Sequence, residues 1–210
     1  MNESLFTIIF DFDGTIADSL YKGIEITNQI AKQLNLKTIK PEEIETLRNM
    51  TQKEMIKYFK IPIYKIPILV AKYHKEFNKI IDTLLPFKDM KQVIKQLSEK
   101  YHLGILSSNS QENIEKFLYA NNISQFFKFI HSQPQIFGKS FSIKKIMRFY
   151  KLKNNNVIYI GDEVRDIEAA KQAKIPIISV SWGANSKQLL QKYFPNYLVD
   201  KPEELLNILL

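Results

Sequence analysis

Apolar residues in this chain gather into short runs set between stretches of helical spacing. Runs at 5–10, 103–106, 127–130, 157–160 and 175–180 are rich in Ile, Leu, Val and Phe, and each is too short for a helix. They predict buried strands. Between the later runs the apolar positions fall three and four apart. Met90, Val93, Ile94 and Leu97 precede the second run, and Ile114, Phe117 and Leu118 follow it, with Ser110 as an N-cap. Strands alternating with helices in this way make crossover units and a parallel sheet.

Residues 19–85 break that alternation. No strand pattern occurs there, whereas 24–34, 41–47, 51–59 and 66–84 all carry helical spacing. Pro41 suits a first helical position, and Thr51 with Glu54 three residues on makes a capping box. The chain therefore reads as an α/β core, interrupted after its first strand by a helical insert of about 65 residues, a length within the domain range.

Composition narrows the class. A chain of 210 residues with 45% hydrophobic content can bury a substantial core. Cysteine is absent, which excludes disulfides, zinc–thiolate sites and thiol nucleophiles. No run approaches the roughly 18 apolar residues of a membrane helix. Glu3 stands where a secretory leader would be basic, so a soluble, cytoplasmic protein with no membrane contact is expected. The formal charge of +8 would suit nucleic acid, but the lysines are spread along the whole chain. Their densest group (Lys144, Lys145, Arg148, Lys151, Lys153) shares a helix with the apolar positions Ile143, Ile146, Met147 and Tyr150. A solvated helix face is expected there, and no nucleic-acid partner.

Candidate chemistry sits at the ends of the apolar runs. In "FTIIFDFDGT", Asp11 and Asp13 are two apart, so on an extended segment they point the same way, and Gly14 permits a sharp turn. Open α/β sheets place ligands at such strand ends. Two carboxylates this close repel unless a cation or a reacting group offsets the charge. Three further features bear on them. Ser108 and Asn109 follow the second run, Lys139 follows Gly138 before a helix, and the fourth run ends in Gly161, Asp162 and Glu163 with Asp166 beyond. Taken singly, these read as a turn residue, surface charge and an acidic first helical turn.

Taken together and in this chain order, DxDGT, Ser-Asn, Gly-Lys and GDxxxD resemble the haloacid dehalogenase superfamily of phosphatases. The stretch "LRNMTQKEMIKYF" and the tail from "FGKS" through "GDEVRDIEAAKQA" to "WGANS" are similar to its phosphoglycolate-phosphatase-like members. The resemblance implies a three-layer, Rossmann-like α/β core with a parallel sheet, built from residues 1–17 and 86–210, and an inserted α-helical cap domain of residues 18–85. It implies a phosphatase dependent on Mg2+ that hydrolyses a small phosphorylated metabolite, a phosphoglycolate-like monoester, through an aspartyl-phosphate. Asp11 would be the nucleophile and Asp13 the general acid and base. Ser108, Asn109 and Lys139 would bind the phosphate, Lys139 also neutralising charge at the reacting centre. Asp11, Asp13 through its carbonyl, Asp162 and Asp166 would hold the metal. Arg48, in the insert, is the candidate contact to a substrate anion, with hinges at 17–19 and 85–87.

Asp13 argues against dehalogenation, since a halide leaving group needs no proton. A phosphoryl-transfer mutase of the same superfamily and a catalytically idle scaffold are the alternatives, and a monomer or weak homodimer is expected. Two positions depart from the family pattern. Ser140 follows the lysine where proline is common, and Glu163 stands where a small hydroxyl residue is common and is expected to point to solvent.

Overall fold

The computed structural model describes residues 6–132 and 138–210. Leu5 of the first predicted strand, Glu3 and the Phe137 that precedes Gly138 lie outside the described residues. Strands β1 (Thr7–Phe10), β2 (His102–Ser107), β3 (Phe127–Ser132), β4 (Val157–Gly161), β5 (Ile177–Val180) and β6 (Tyr197–Val199) form one sheet in the order β3-β2-β1-β4-β5-β6. Every pairing is parallel, with Phe10 opposite Ile105 on one side and Ile160 on the other. This is the α/β architecture that the alternation predicts.

Period-two alternation divides the strands between two apolar layers. Ile8, Phe10, Leu103, Ile105, Ile158 and Ile160 face one layer, and Ile9, Leu106, Val157 and Tyr159 face the other. The first layer is closed by α5 (Met90–Ser98), α6 (Gln111–Ala120) and α10 (Glu204–Leu209), and the second by α7 (Lys139–Phe149), α8 (Val164–Ala173) and α9 (Lys187–Lys192). Each fully buried Ile or Phe of these layers contributes ~1.5–3 kcal/mol. Helix α7 buries Ile143, Ile146 and Met147 and leaves Lys144, Lys145 and Arg148 in solvent, the solvated face expected of that basic cluster.

Between β1 and α5 the described elements are helical: α1 (Leu20–Gln33), α2 (Ile44–Arg48), α3 (Gln52–Tyr58) and α4 (Ile66–Asn78), joined by 3-10 turns. The Thr51–Glu54 capping box forms, with Thr51 Oγ1 accepting from the Glu54 amide and Glu54 accepting from the Thr51 amide at 2.7 Å. Helix α1 packs on α4, and Ile26, Ile30, Phe77 and Ile81 join Phe12 and Ile16 in the same apolar layer as the sheet. The chain enters and leaves this region along paired segments. The Asp18 amide donates to the Leu85 carbonyl at 3.0 Å, and the Phe87 amide to the Ile16 carbonyl at 3.0 Å.

Several elements differ from the sequence expectation, among them the helix predicted over 41–47, which is a 3-10 turn at Pro41–Glu43 followed by α2. The helix predicted over 66–84 ends at Asn78 and resumes as a 3-10 turn at Ile81–Thr83, because Ile81 and Leu84 must turn inward to be buried. The strand predicted over 175–180 starts at Ile177, since Pro176 has no amide to give a ladder. Strand β6 was not expected. Its three residues carry little pattern of their own and are held by pairing with β5.

Candidate active site

Strand order reverses across β1, with β2 on one side and β4 on the other, and ligands of open α/β sheets bind at the carboxyl ends beside such a switch point. Asp11 directly follows β1 and Asp162 directly follows β4. The Asp11 amide still donates to the Ile160 carbonyl at 2.8 Å, which extends the ladder one residue and fixes the carboxylate at the sheet's rim. The turn that follows closes when the Ile16 and Ala17 amides donate to the Phe12 carbonyl. Gly14 sits in it at φ +73°, and a Cβ there would lie 2.2 Å from Asp162 Oδ2. Only glycine admits both that backbone and that approach.

Three carboxylates meet at this rim. One oxygen from each of Asp11, Asp162 and Asp166 lies within 4.8 Å of the others, and all three residues are buried. Lys139 Nζ donates to Asp11 Oδ2 at 2.6 Å and also to Asp166 Oδ1, with only 8% of the lysine exposed. The far side of Asp166 accepts from the Glu163 amide at 3.0 Å. Asp162 accepts from Thr15 Oγ1 at 2.9 Å and from the Ala184 amide at 2.7 Å.

Burial is the main force on these groups. It pushes the Asp11 carboxyl up to about 6, against the lowering pull of Lys139 and with a raising push from Asp166. Asp162 is held well above the usual carboxylate range by burial and then by the charges of Glu163, Asp11 and Asp166. For Lys139, burial alone would lower the pKa, but Asp11 and Asp166 outweigh it and keep the ammonium firmly charged. When ionised, these three buried acids outnumber the one lysine they face. An all-oxygen donor set of this kind fits a hard divalent cation.

Asp13 stands apart from the trio. Its Oδ2 accepts from Asn109 Nδ2 at 3.1 Å, while Oδ1 is buried without a hydrogen-bond partner among the described residues. Burial raises its pKa, and the Asn109 hydrogen bond pulls it partly back. Asn109 is itself locked, since its Oδ1 accepts from Asn113 Nδ2 at 2.9 Å and Ser132 Oγ donates to its carbonyl at 2.6 Å. The two acids of the first motif therefore accept from different hydrogen-bond partners, Asp11 from Lys139 and Asp13 from Asn109.

Ser108 directly follows β2, beside Asn109. The Phe12 amide donates to Asp11 Oδ1 at 2.8 Å and the Asn109 amide to Ser107 Oγ at 3.0 Å, so both amides are engaged within the protein here. Arg48 is engaged within the protein. It ties α2 to the loop after β5, donating from Nη2 to the Ser181 carbonyl at 2.8 Å and from Nη1 to Glu45 at 3.1 Å. Nearby, the Ser186 amide donates to the Arg48 carbonyl at 2.8 Å, and Ser186 Oγ donates to Asn49 Oδ1 at 2.6 Å.

Glu163 corrects the sequence expectation of a solvent-facing acid. Its side chain is only 13% exposed, pairs with Arg165 Nη2 at 2.5 Å through Oε1, and accepts from Gln52 Nε2 at 3.1 Å through Oε2. Sequence reading also missed Thr15, Arg165 and Ala184 as neighbours of the acids. Thr15 had a signal, as part of the DGT turn, but an amide 22 residues from Asp162 has none.

The model of the haloacid dehalogenase-like hydrolase family matches residues 8–180. The chain is 30% identical to the phosphoglycolate phosphatase of Synechococcus elongatus, over 95% of this chain and 94% of that protein. It is 26% identical to the pyrophosphatase PpaX of Listeria welshimeri, over 99% of this chain and 98% of the relative. A haloacid dehalogenase-like family hydrolase of known structure from Streptococcus pneumoniae superposes with a TM-score of 0.82 at 24% identity, over 97% and 98% of the two chains. With the family model spanning most of the chain, and with acids and lysine gathered at the rim of its sheet, this protein belongs to the haloacid dehalogenase-like hydrolases.

Proposed function

We propose that the protein is a phosphatase that hydrolyses a small phosphate monoester through a covalent intermediate on Asp11. The observation that carries this reading is the buried Asp11 carboxylate, held against Lys139 at the carboxyl end of the central strand. In the first step an Asp11 oxygen forms a bond to phosphorus while the bond to the leaving oxygen breaks, and Asp13 gives its proton to that oxygen. In the second, water attacks the aspartyl-phosphate, Asp13 takes the water's proton, and the Asp11 carboxylate returns as inorganic phosphate leaves. Asn109 holds Asp13 in place for both transfers. Lys139 offsets charge on the nucleophile and on the phosphoryl oxygens, beside which Ser108 offers a hydroxyl.

Asp11, Asp162 and Asp166, with the Asp13 carbonyl, suit Mg2+, which when bound supplies positive charge to the transferring phosphoryl group. Residues 1–17 and 86–210 form the catalytic core in this reading, and residues 18–85 a cap that closes over it. The names of two relatives, a phosphoglycolate phosphatase and a pyrophosphatase, support a small phosphorylated substrate, and the first supports phosphoglycolate. No helix among the described residues is long and apolar enough to cross a membrane. In this reading the enzyme is cytoplasmic and acts as a monomer or weak homodimer.

The test is phosphate release from a panel of phosphoglycolate, pyrophosphate, sugar phosphates and nucleoside monophosphates, with Mg2+ and with EDTA. Release that needs the metal and disappears in Asp11→Asn is expected. A metal-loaded protein that frees no phosphate from any of them overturns the proposal.

A further inference from the structure

The loop after β5, residues 181–186, is bonded both to the acid trio and to the helical insert. Toward the trio, the Ala184 amide donates to Asp162 Oδ2 at 2.7 Å and the Asn185 amide to the Asp162 carbonyl at 3.3 Å. A Cβ on Gly183 would lie 2.3 Å from Asp162 Oδ2, so the loop backbone presses directly on this carboxylate. Toward the insert, the Ser181 carbonyl accepts from Arg48 Nη2 at 2.8 Å. The Ser186 amide donates to the Arg48 carbonyl at 2.8 Å, and Ser186 Oγ to Asn49 Oδ1 at 2.6 Å.

Asn185 joins the two sets of bonds within one side chain. Its Oδ1 accepts from the amide of Val164, the first residue of α8, at 2.9 Å, while its Nδ2 donates to the Met50 carbonyl at 3.1 Å. Only 3% of the residue is exposed. Val164 stands two residues beyond Asp162, so the acceptor end of Asn185 holds the turn that carries the carboxylate, and the donor end grips the insert between α2 and α3. A carboxamide is a rigid plane with its acceptor and its donors on different atoms. With an amide facing one end and a carbonyl the other, a single orientation satisfies both partners. A shift of the insert at Met50 therefore reaches the Asp162 turn through a group that cannot bend. A second tie runs beside it, from Gln52 to Glu163 at 3.1 Å and from the Glu163 amide to Asp166 Oδ2 at 3.0 Å.

We infer, resting on the reading of Asp11, Asp162 and Asp166 as cation ligands given above, that Asn185 is a positioning residue through which docking of the insert fixes Asp162. Cation binding by the trio and docking of the insert then strengthen each other. Such coupling is reciprocal, so the metal's effect can be read at the insert.

The Ser186 amide is the probe, because the insert's Arg48 carbonyl covers it and its hydrogen exchange reports undocking. The Leu190 amide, bonded within the core to the Ser186 carbonyl at 3.0 Å, is the reference against which global stabilisation cancels. Exchange of both is followed by NMR in EDTA and in saturating Mg2+, with binding of the metal itself measured by calorimetry. In wild type, Mg2+ is expected to slow Ser186 relative to Leu190 by about fivefold or more, the low end of coupling between sites. Asn49→Ala loosens the insert without touching Asn185. Its Ser186 amide is expected to exchange about fivefold faster, the scale of one hydrogen bond, and still to be slowed by Mg2+ by the wild-type factor. Asn185→Ala is expected to exchange faster as well, but with the Mg2+ effect reduced below about twofold. Asn185→Asp keeps the acceptor for Val164 and loses the donor to Met50, so it is expected to lose the effect too and carries the test if the alanine variant does not fold. Mg2+ that binds wild type without slowing Ser186, or an Asn185 variant that keeps the wild-type factor as a merely structural residue would allow, overturns the inference. The two readings fail separately: coupled exchange without phosphate release from any ester leaves the role of Asn185 standing and removes the phosphatase, and metal-dependent release without coupled exchange does the reverse.

Discussion

Asp11→Asn in metal-free protein isolates how much stability the site gives up to hold its nucleophile. Folding raises the Asp11 carboxyl from its ordinary 3.8 to about 6, chiefly by burial. The folded chain therefore holds this proton more tightly than the unfolded chain, and stability falls as pH rises between those two values. Below the lower value both states are protonated and nothing is lost. Above the upper one the loss is complete, at about 3 kcal/mol for this group. Asp162, raised in part by the charge of Asp11, adds in the same direction. The two histidines whose pKa burial lowers, His74 and His131, gain stability with rising pH, but they are common to both proteins and cancel in the comparison. Urea unfolding in EDTA, followed by circular dichroism from pH 4 to pH 7, should show Asp11→Asn gaining on wild type by about 3 kcal/mol across the window. Millimolar Mg2+ at pH 7 should then restore wild type and leave the variant nearly unmoved, because the cation binds the ionised carboxylates. A gap that stays constant with pH, or moves in favour of wild type without metal, would refute the account of an acid whose charge is disfavoured by burial.

Three further outcomes are expected. Gly14→Ala forces a Cβ to within 2.2 Å of Asp162 Oδ2 at a positive φ, and should cost about 2–4 kcal/mol in thermal unfolding and weaken Mg2+ binding by calorimetry. Asn109→Ala removes the hydrogen bond that favours ionised Asp13. The Asp13 pKa should rise and the kcat–pH profile move to higher pH by about one unit, with kcat about tenfold lower. Thr51→Ala opens the capping box of α3 and should lower stability by about 1 kcal/mol by chemical denaturation.

The sequence by itself determined the elements and the chemical inventory of this protein. Apolar runs and helical spacing are local signals, so five strands, the helices around them and the Thr51 and Ser110 caps could be read from neighbours in the chain. The motif residues Asp11, Lys139, Asp162 and Asp166 were legible only through their order along the chain, which carries the family resemblance, and the fold gathers them at one rim. Pairing decided the rest. Strand β6 exists because β5 offers it a ladder, and the helix at 66–84 breaks because Ile81 and Leu84 gain more from burial than from continued helical bonds. Partners far apart in the chain were likewise set by the fold. Asn109 reaches Asp13 across 96 residues, Arg48 is drawn to Ser181, and Glu163 turns from solvent to Arg165 and Gln52. A carboxylate's identity is written in one codon, but its protonation, charge balance and partner depend on what burial removes from water and what the fold brings beside it.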